Sequence, residues 1–349
     1  MEKRTETEQE REFARRGHSL KIDFAPLEGI TDTVYRRLHR KYFGGVDRYY
    51  IPFISPTGDH LMTPKDIREL SPEGGFPESM SPAEREEHLS STVPQFLTKN
   101  AEDFLFAAEY AQEIGYRVVN LNTGCPSGTV TAKGKGAGML RDTEALDRFL
   151  DAVFEKVTVR VSVKTRIGMT SPDEFPAILA VFCRYPLAEL ILHPRTGAEM
   201  YRGGMHPEAF AAALAACPFP VTFNGNLTTA GEVWALAEEY PRTARVMIGR
   251  GLVGDPALAL RATGSAPGAE EYRRELRAFL GELTETYRTR FGNDRAVLFR
   301  MKDVWRYLLP LFFDDGHAEK RFRKARTLAE LSDAAEAVLS GLAFAAENS

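Results

Sequence analysis

From residue 20 onward this chain alternates short β-rich runs with amphipathic stretches, and that alternation constrains its fold more than any other feature. Eight runs rich in β-branched and aromatic residues stand at 22–25, 48–54, 93–97, 118–122, 160–164, 189–193, 221–224 and 246–248. Segments with helical spacing of apolar residues separate most of them. The 101–114 segment follows Asn100, a good N-cap, and puts Phe104, Ala107, Ala108 and Ala111 on one face. Comparable segments span 31–43, 143–157, 171–184, 207–216 and 230–239. The Pro/Ser/Glu-rich stretch 61–91 lacks this rhythm and reads as a long loop with at most a short helix. Strands alternating with helices form a parallel sheet with right-handed crossovers. Eight such units in about 250 residues predict a closed (β/α)8 TIM barrel rather than an open doubly wound sheet.

The remaining sequence divides around that barrel. Residues 1–18 are polar, mixed in charge and aperiodic, and read as a flexible extension. The barrel takes 19–261, and the Ala/Thr/Gly/Ser/Pro stretch 262–269 reads as a linker. Residues 270–349 carry strong helical patterns at 270–290, 295–309 and 318–342 and predict a small all-α domain. No apolar run reaches the ~18–20 residues of a membrane span, and the charged N-terminus lacks the apolar core of a secretory signal. The three cysteines (Cys125, Cys183, Cys217) make no disulfide framework and lack the paired spacing of a zinc site. A reducing, cytoplasmic setting with no metal is expected. The net charge of −4 argues mildly against a nucleic-acid partner, but the average hides an asymmetry. Between 288 and 326, eleven Lys/Arg face only five Asp/Glu.

In a barrel, ligand-binding groups come from the C-terminal strand ends and the loops beyond them. Here those places hold polar residues inside otherwise apolar runs. They are Pro26-Leu27-Glu28 after the first run, Gln95 in the third, Asn120 and Asn122 in the fourth, and Lys164 and Arg166 in the fifth. His193 and Arg195 follow in the sixth, Asn224-Gly225-Asn226 in the seventh, and Gly249-Arg250-Gly251 in the eighth. Singly, each has a structural reading: a lysine reaching for water, a satisfied histidine, a turn. Together they predict one ligand with many hydrogen-bonding groups. The last two loops supply glycines for close backbone approach and an arginine, the usual makings of a phosphate site. Cys125 sits in a loop between Gly124 and Pro126, unlike Cys183 and Cys217, which read as small apolar fillers. The glycine- and lysine-bearing loop 127–138 beyond it, with Lys133 and Lys135, reads as mobile and able to close over an anion.

These residues resemble the tRNA-dihydrouridine synthases, flavin enzymes built from an FMN-binding barrel and a helical RNA-binding domain. The matching pieces run in order over about 85% of the chain: APLEGITD (25–32), VPQ (93–95) and NLNTGCPSGTVTAKGKGAGML (120–140), then VKTRIG (163–168), HPRTGAEMYRG (193–203), NGN (224–226) and GRG (249–251). The fragment around Cys125 is the most specific of them. The resemblance implies that Pro26, Leu27, Glu28 and Gln95 border the flavin, and that Lys164 and His193 bond its ring edge. It gives Asn224, Gly225, Asn226, Gly249 and Arg250 the ribityl phosphate. Asn122, Lys133, Arg166 and Arg195 would lie at the target uridine, and Cys125 matches the proton donor. Asn226 stands where relatives often have Asp, and Thr129 where many have Lys.

The resemblance further implies NADPH as a transient reductant and tRNA as the substrate. The chemistry suits uracil, whose C5=C6 bond takes hydride at C6 and a proton at C5. An ordinary thiol, with a pKa near 8.5, is protonated at neutral pH and can act as the acid. Arg323 and Lys324, in the densest basic cluster, are the expected RNA contacts, with Arg300, Lys302 and Arg306 on the preceding helix adding to that face. A monomer is expected. Two other readings remain open: an FMN barrel of the dihydroorotate dehydrogenase type acting on a small pyrimidine, and an inactive RNA-binding barrel. The basic helical tail counts against the first, and the intact Lys164, His193 and Cys125 set against the second.

Overall fold

The computed structural model describes residues 20–345 except 75, 77–79 and 315; the 1–18 extension lies outside the described residues. Nine ladder segments pair in parallel in the order β3-β2-β1-β9-β8-β7-β6-β5-β4. They are β1 (Lys21–Phe24), β2 (Arg48–Tyr50), β3 (Thr92–Val93), β4 (Gln95–Phe96), β5 (Val118–Thr123), β6 (Arg160–Arg166), β7 (Glu189–His193), β8 (Val221–Asn224) and β9 (Arg245–Ile248). β3 and β4 are one strand broken at Pro94, which has no N–H to give the ladder. The first half pairs with β2 and the second with β5, while the Pro94 carbonyl accepts from Asn120 N at 2.8 Å. One strand thus joins both ends of the sheet and closes the barrel. Eight strands result, at the eight expected places.

The helices are α1 (Thr33–Tyr42), α2 (Pro64–Leu70), α3 (Pro82–Ser91), α4 (Ala101–Ile114), α5 (Gly128–Thr131), α6 (Thr143–Phe154), α7 (Phe175–Phe182), α8 (Pro207–Ala216), α9 (Ala230–Glu239), α10 (Arg250–Gly254) and α11 (Leu258–Ala262). The C-terminal helices are α12 (Ala269–Phe291), α13 (Asp294–Leu308), α14 (His317–Lys324) and α15 (Leu328–Gly341). Asn100 caps α4 as expected, its side chain accepting from Glu102 N and Asp103 N. The 61–91 stretch corrects the sequence reading, because it holds two helices. Each opens with a capping box and a proline in the first turn, Thr63 with Asp66 and Ser81 with Glu84. Such helices start from local hydrogen bonds and need little apolar rhythm. The single helix expected at 318–342 is also two. Thr327 caps α15, and Lys302 Nζ takes the carbonyls of Arg323 and Ala325 at the end of α14.

Strand parity sorts the side chains. Outward residues such as Ile22, Phe24, Val119, Leu121, Val161, Val163, Leu190 and Leu192 join the apolar core between strands and helices. Inward residues fill the barrel in layers. At the strand starts Asp23, Arg48, Glu189 and Arg245 form an ionic floor, with Arg48 Nη1 to Glu189 Oε2 at 2.8 Å and Arg245 paired to Asp23. Ala25, Tyr50, Val93, Ile191 and Met247 make an apolar middle layer. Gln95, Asn122, Lys164, His193 and Asn224 form the top layer.

The tail shares the barrel's apolar core. Phe279 of α12 meets Tyr35 of α1 edge-on at 5.5 Å and Phe43 at 5.3 Å. Asp32, the N-cap of α1, accepts from Tyr287 of α12 at 2.9 Å and Arg300 of α13 at 3.1 Å.

Candidate active site

The top layer opens into a cavity of about 400 Å³ at the C-terminal mouth of the barrel. Its walls include Pro26, Leu27, Glu28, Gln95, Asn122, Cys125, Lys164, Arg166, His193, Asn224, Gly225, Asn226, Gly249 and Arg250. Seven strand ends, scattered through the sequence from 26 to 250, therefore converge on one space. Several singled-out residues lie elsewhere, Asn120 and Gly251 among them. Lys133 is exposed on the loop after Cys125, Arg195 is buried behind the wall, and Arg323 and Lys324 are exposed on α14.

Charge in the cavity is one-sided. Lys164, Arg166 and Arg250 face it, and the carboxylate on its wall, Glu28, bonds Lys65 at 3.0 Å. Among the described residues no acid pairs with Lys164. Burial, with the Arg166 guanidinium beside it, lowers the Lys164 ammonium to about 7. Burial and the cations Lys164, Arg166 and Arg195 likewise hold His193 well below the usual imidazole value. Its tautomer follows from Arg195, whose Nη1 lies 3.3 Å from Nε2. A guanidinium only donates, so Nε2 accepts and the neutral ring carries its proton on Nδ1. Arg195 also bonds Asn226 Oδ1 at 3.3 Å and the Gly203 carbonyl at 3.1 Å, while its buried Nε has no partner. Arg250 Nη2 takes the same Asn226 oxygen at 2.7 Å. The amide at 226 thus gathers two arginines through one neutral oxygen.

The Cys125 turn is built tightly. Asn122 Oδ1 accepts from Gly124 N at 3.0 Å and Cys125 N at 2.9 Å. Arg166 Nε bonds the Gly124 carbonyl at 2.9 Å, and Ala137 N bonds the Cys125 carbonyl at 3.0 Å. The 127–138 segment, read from its glycines as a loop, carries secondary structure. It folds into α5 and a 3-10 turn at Gly136–Arg141. Gly136 has φ +56°, and a Cβ there would sit 2.7 Å from the Cys125 carbonyl oxygen. The glycine serves close approach, not motion. Cys183 and Cys217 are half-buried free thiols 3.8 Å apart, and burial with Cys183 alongside pushes Cys217 up to about 12.

Sequence reasoning gave no role to three aromatic wall residues, Phe53, Tyr201 and Tyr307. Tyr201 lies inside the HPRTGAEMYRG fragment and packs under two guanidinium groups, Arg166 at 5.3 Å and Arg250 at 5.2 Å. Tyr307 comes from α13, so only the docked tail brings it to the mouth.

Fold and site together define a class: a parallel-barrel enzyme whose mouth is prepared for an anionic, acceptor-rich ligand beside a loop cysteine. A family model described as "Dihydrouridine synthase (Dus)" matches residues 23–297. The tRNA-dihydrouridine(16) synthase of Cupriavidus necator is 33% identical over 257 residues, covering 71% of this chain and 75% of that protein. A probable tRNA-dihydrouridine synthase of Rhodobacter capsulatus is 27% identical over 298 residues, covering 83% and 87%. Among solved structures, morphinone reductase superposes with a TM-score of 0.48 at 16% identity over 72% of this chain and 88% of that one. The chain belongs to the dihydrouridine synthase family, flavin-dependent oxidoreductases of tRNA modification.

Proposed function

We propose that the protein reduces the C5=C6 bond of specific uridines in tRNA to 5,6-dihydrouridine, with FMN in the barrel-mouth cavity, Cys125 as proton donor and NADPH as reductant. The observation that carries this reading is Lys164: a lysine ammonium weakened by burial, without an acid partner among the described residues, in the wall that also holds Cys125. A buried cation without an anion is costly, and a ligand that brings the anion removes the cost. FMN fits this donor set. Lys164 and His193 meet electron-rich ring atoms, while Arg250, Asn224, Asn226 and the backbone at Gly225 and Gly249 hold the phosphate. When bound and reduced, the flavin supplies the hydride that goes to C6 of the uracil.

The chain's own residues do the rest. Asn122 and Arg166 hold the Cys125 turn against the cavity, and the thiol gives its proton to C5 as the enolate charge of the base collapses. Solvent then returns a proton to the sulfur. The target base must leave its stack to reach the mouth, as enzymes acting on bases require. The exposed cations of α14 bring the RNA backbone near, and Lys133 adds positive charge beside the Cys125 loop. NADPH docks transiently, consistent with a sequence that has no Rossmann fingerprint. The enzyme acts as a cytoplasmic monomer, and no helix of the described residues is long and apolar enough to cross a membrane.

The names of the relatives at 33% identity support position 16 as the target. Position-resolved mass spectrometry of tRNA from a deletion strain tests this. Loss of dihydrouridine at position 16 alone is expected. Retention there with loss at another position moves the assignment, and no loss anywhere favours an inactive RNA-binding barrel.

A further inference from the structure

Four side chains inside the barrel form a single-file hydrogen-bonded chain that ends at the Cys125 turn. Ser162 Oγ donates to the Val119 carbonyl at 3.1 Å and accepts from Asn120 Nδ2 at 2.8 Å. Asn120 Oδ1 accepts from Gln95 Nε2 at 2.8 Å, and Gln95 Oε1 accepts from Asn122 Nδ2 at 2.8 Å. Asn122 Oδ1 takes the backbone N–H groups of Gly124 and Cys125. Ser162, Asn120 and Gln95 are fully buried, and Asn122 is 6% exposed.

The chain has one allowed direction. At one end two backbone donors demand an oxygen, so Asn122 cannot present its nitrogen there. At the other end a backbone carbonyl takes the serine proton, so Ser162 must accept from Asn120. Reversing any amide between them sets donor against donor or acceptor against acceptor, and a buried polar group left without its partner is costly.

We propose that Asn120 is a positioning residue for Cys125. It acts through Gln95 and Asn122 and is itself oriented by Ser162. The relay also leaves one hydrogen on each of the Gln95 and Asn122 amides uncommitted. Both residues line the cavity. The turnover arm of the test rests on the function proposed above; the labelling arm does not.

The test uses holoenzyme and two readouts: site-resolved mass spectrometry of iodoacetamide labelling, and uridine reduction in tRNA. Asn120→Asp keeps an acceptor for Gln95, and Ser162 then turns its proton to the new carboxylate. It should keep both the Cys125 labelling rate and turnover within about twofold of wild type. Asn120→Leu removes the acceptor. It should shift Cys125 labelling at least threefold and lower turnover on tRNA at least tenfold. Its labelling at Cys183 should stay unchanged, and its turnover is taken per bound FMN. Ser162→Ala, a smaller change, should move both readouts the same way, and Ser162→Thr should restore them; this pair decides the matter if Asn120→Leu does not fold. Wild-type labelling and turnover in Asn120→Leu or in Ser162→Ala would overturn the proposal. Wild-type protein that forms no dihydrouridine would overturn the function reading, while the labelling rates would still judge the relay.

Discussion

At Lys164 two chemistries oppose each other. Burial and Arg166 bring the ammonium down to about 7, against roughly 10.4 in an unfolded chain. Between those values the unfolded state binds the extra proton, so this residue makes stability rise with pH. Its destabilising cost is fully present below about pH 7 and fades as pH climbs. Lys164→Met should therefore raise the melting temperature of the FMN-free protein, more at pH 6 than at pH 9. The same variant should weaken FMN binding about ten- to hundredfold, the loss of one hydrogen bond to a charged group. An equal melting shift at both pH values would contradict the account of the lysine. Cys125→Ala should keep FMN and NADPH oxidation but lose about 10²–10⁴-fold in uridine reduction, the usual worth of a general acid. Cys183→Ala and Cys217→Ala should not, and stopped-flow turnover on tRNA separates the three. Lys164 and His193 were legible in the sequence because a polar residue inside an apolar strand declares itself. Arg195 declared itself equally and lies behind the wall, because its direction is set by contacts to Asn226 and Gly203 that no local pattern records.

Elements were legible wherever one rule dominated. The barrel strands follow period two, and α4 follows its cap and apolar face. The 61–91 stretch failed because its helices rest on TPKD and SPAE caps, which composition alone presents as loop. Ser81→Ala should cost about 1 kcal/mol in a denaturant titration and leave turnover alone. The glycines after Cys125 are ambiguous in the opposite direction, since close approach and mobility share one composition. Gly136→Ala sets a Cβ 2.7 Å from the Cys125 carbonyl at a φ of +56°. It should cost about 1–3 kcal/mol and cut turnover while FMN stays bound. A variant with wild-type turnover would separate that turn from catalysis.

At the scale of the molecule, the tail's charge is partly spent on holding it in place. Arg300 is bound to Asp32 and Arg290 to Glu69 at 3.3 Å, both across to the barrel, while Arg306 pairs with Asp303 of its own helix at 3.3 Å. Lys302 bonds the carbonyls that end α14, so it and Arg300 are both already engaged within the protein. Arg321, Arg323 and Lys324 are exposed and without an ion pair among the described residues. Replacing Arg323 and Lys324 together with serine should weaken tRNA binding and reduce the slope of log affinity against log salt by about two, with an unchanged flavin spectrum. Filter binding over a salt series reads both, and a wild-type slope would make them only a solvated face. The most direct test of the whole account is mass spectrometry of dihydrouridine-free tRNA incubated with the purified protein, FMN and NADPH. Wild-type protein should add two hydrogens at a defined uridine and Cys125→Ala none, although both oxidise NADPH. Unaltered tRNA with wild-type protein, or equal reduction by Cys125→Ala, would contradict it.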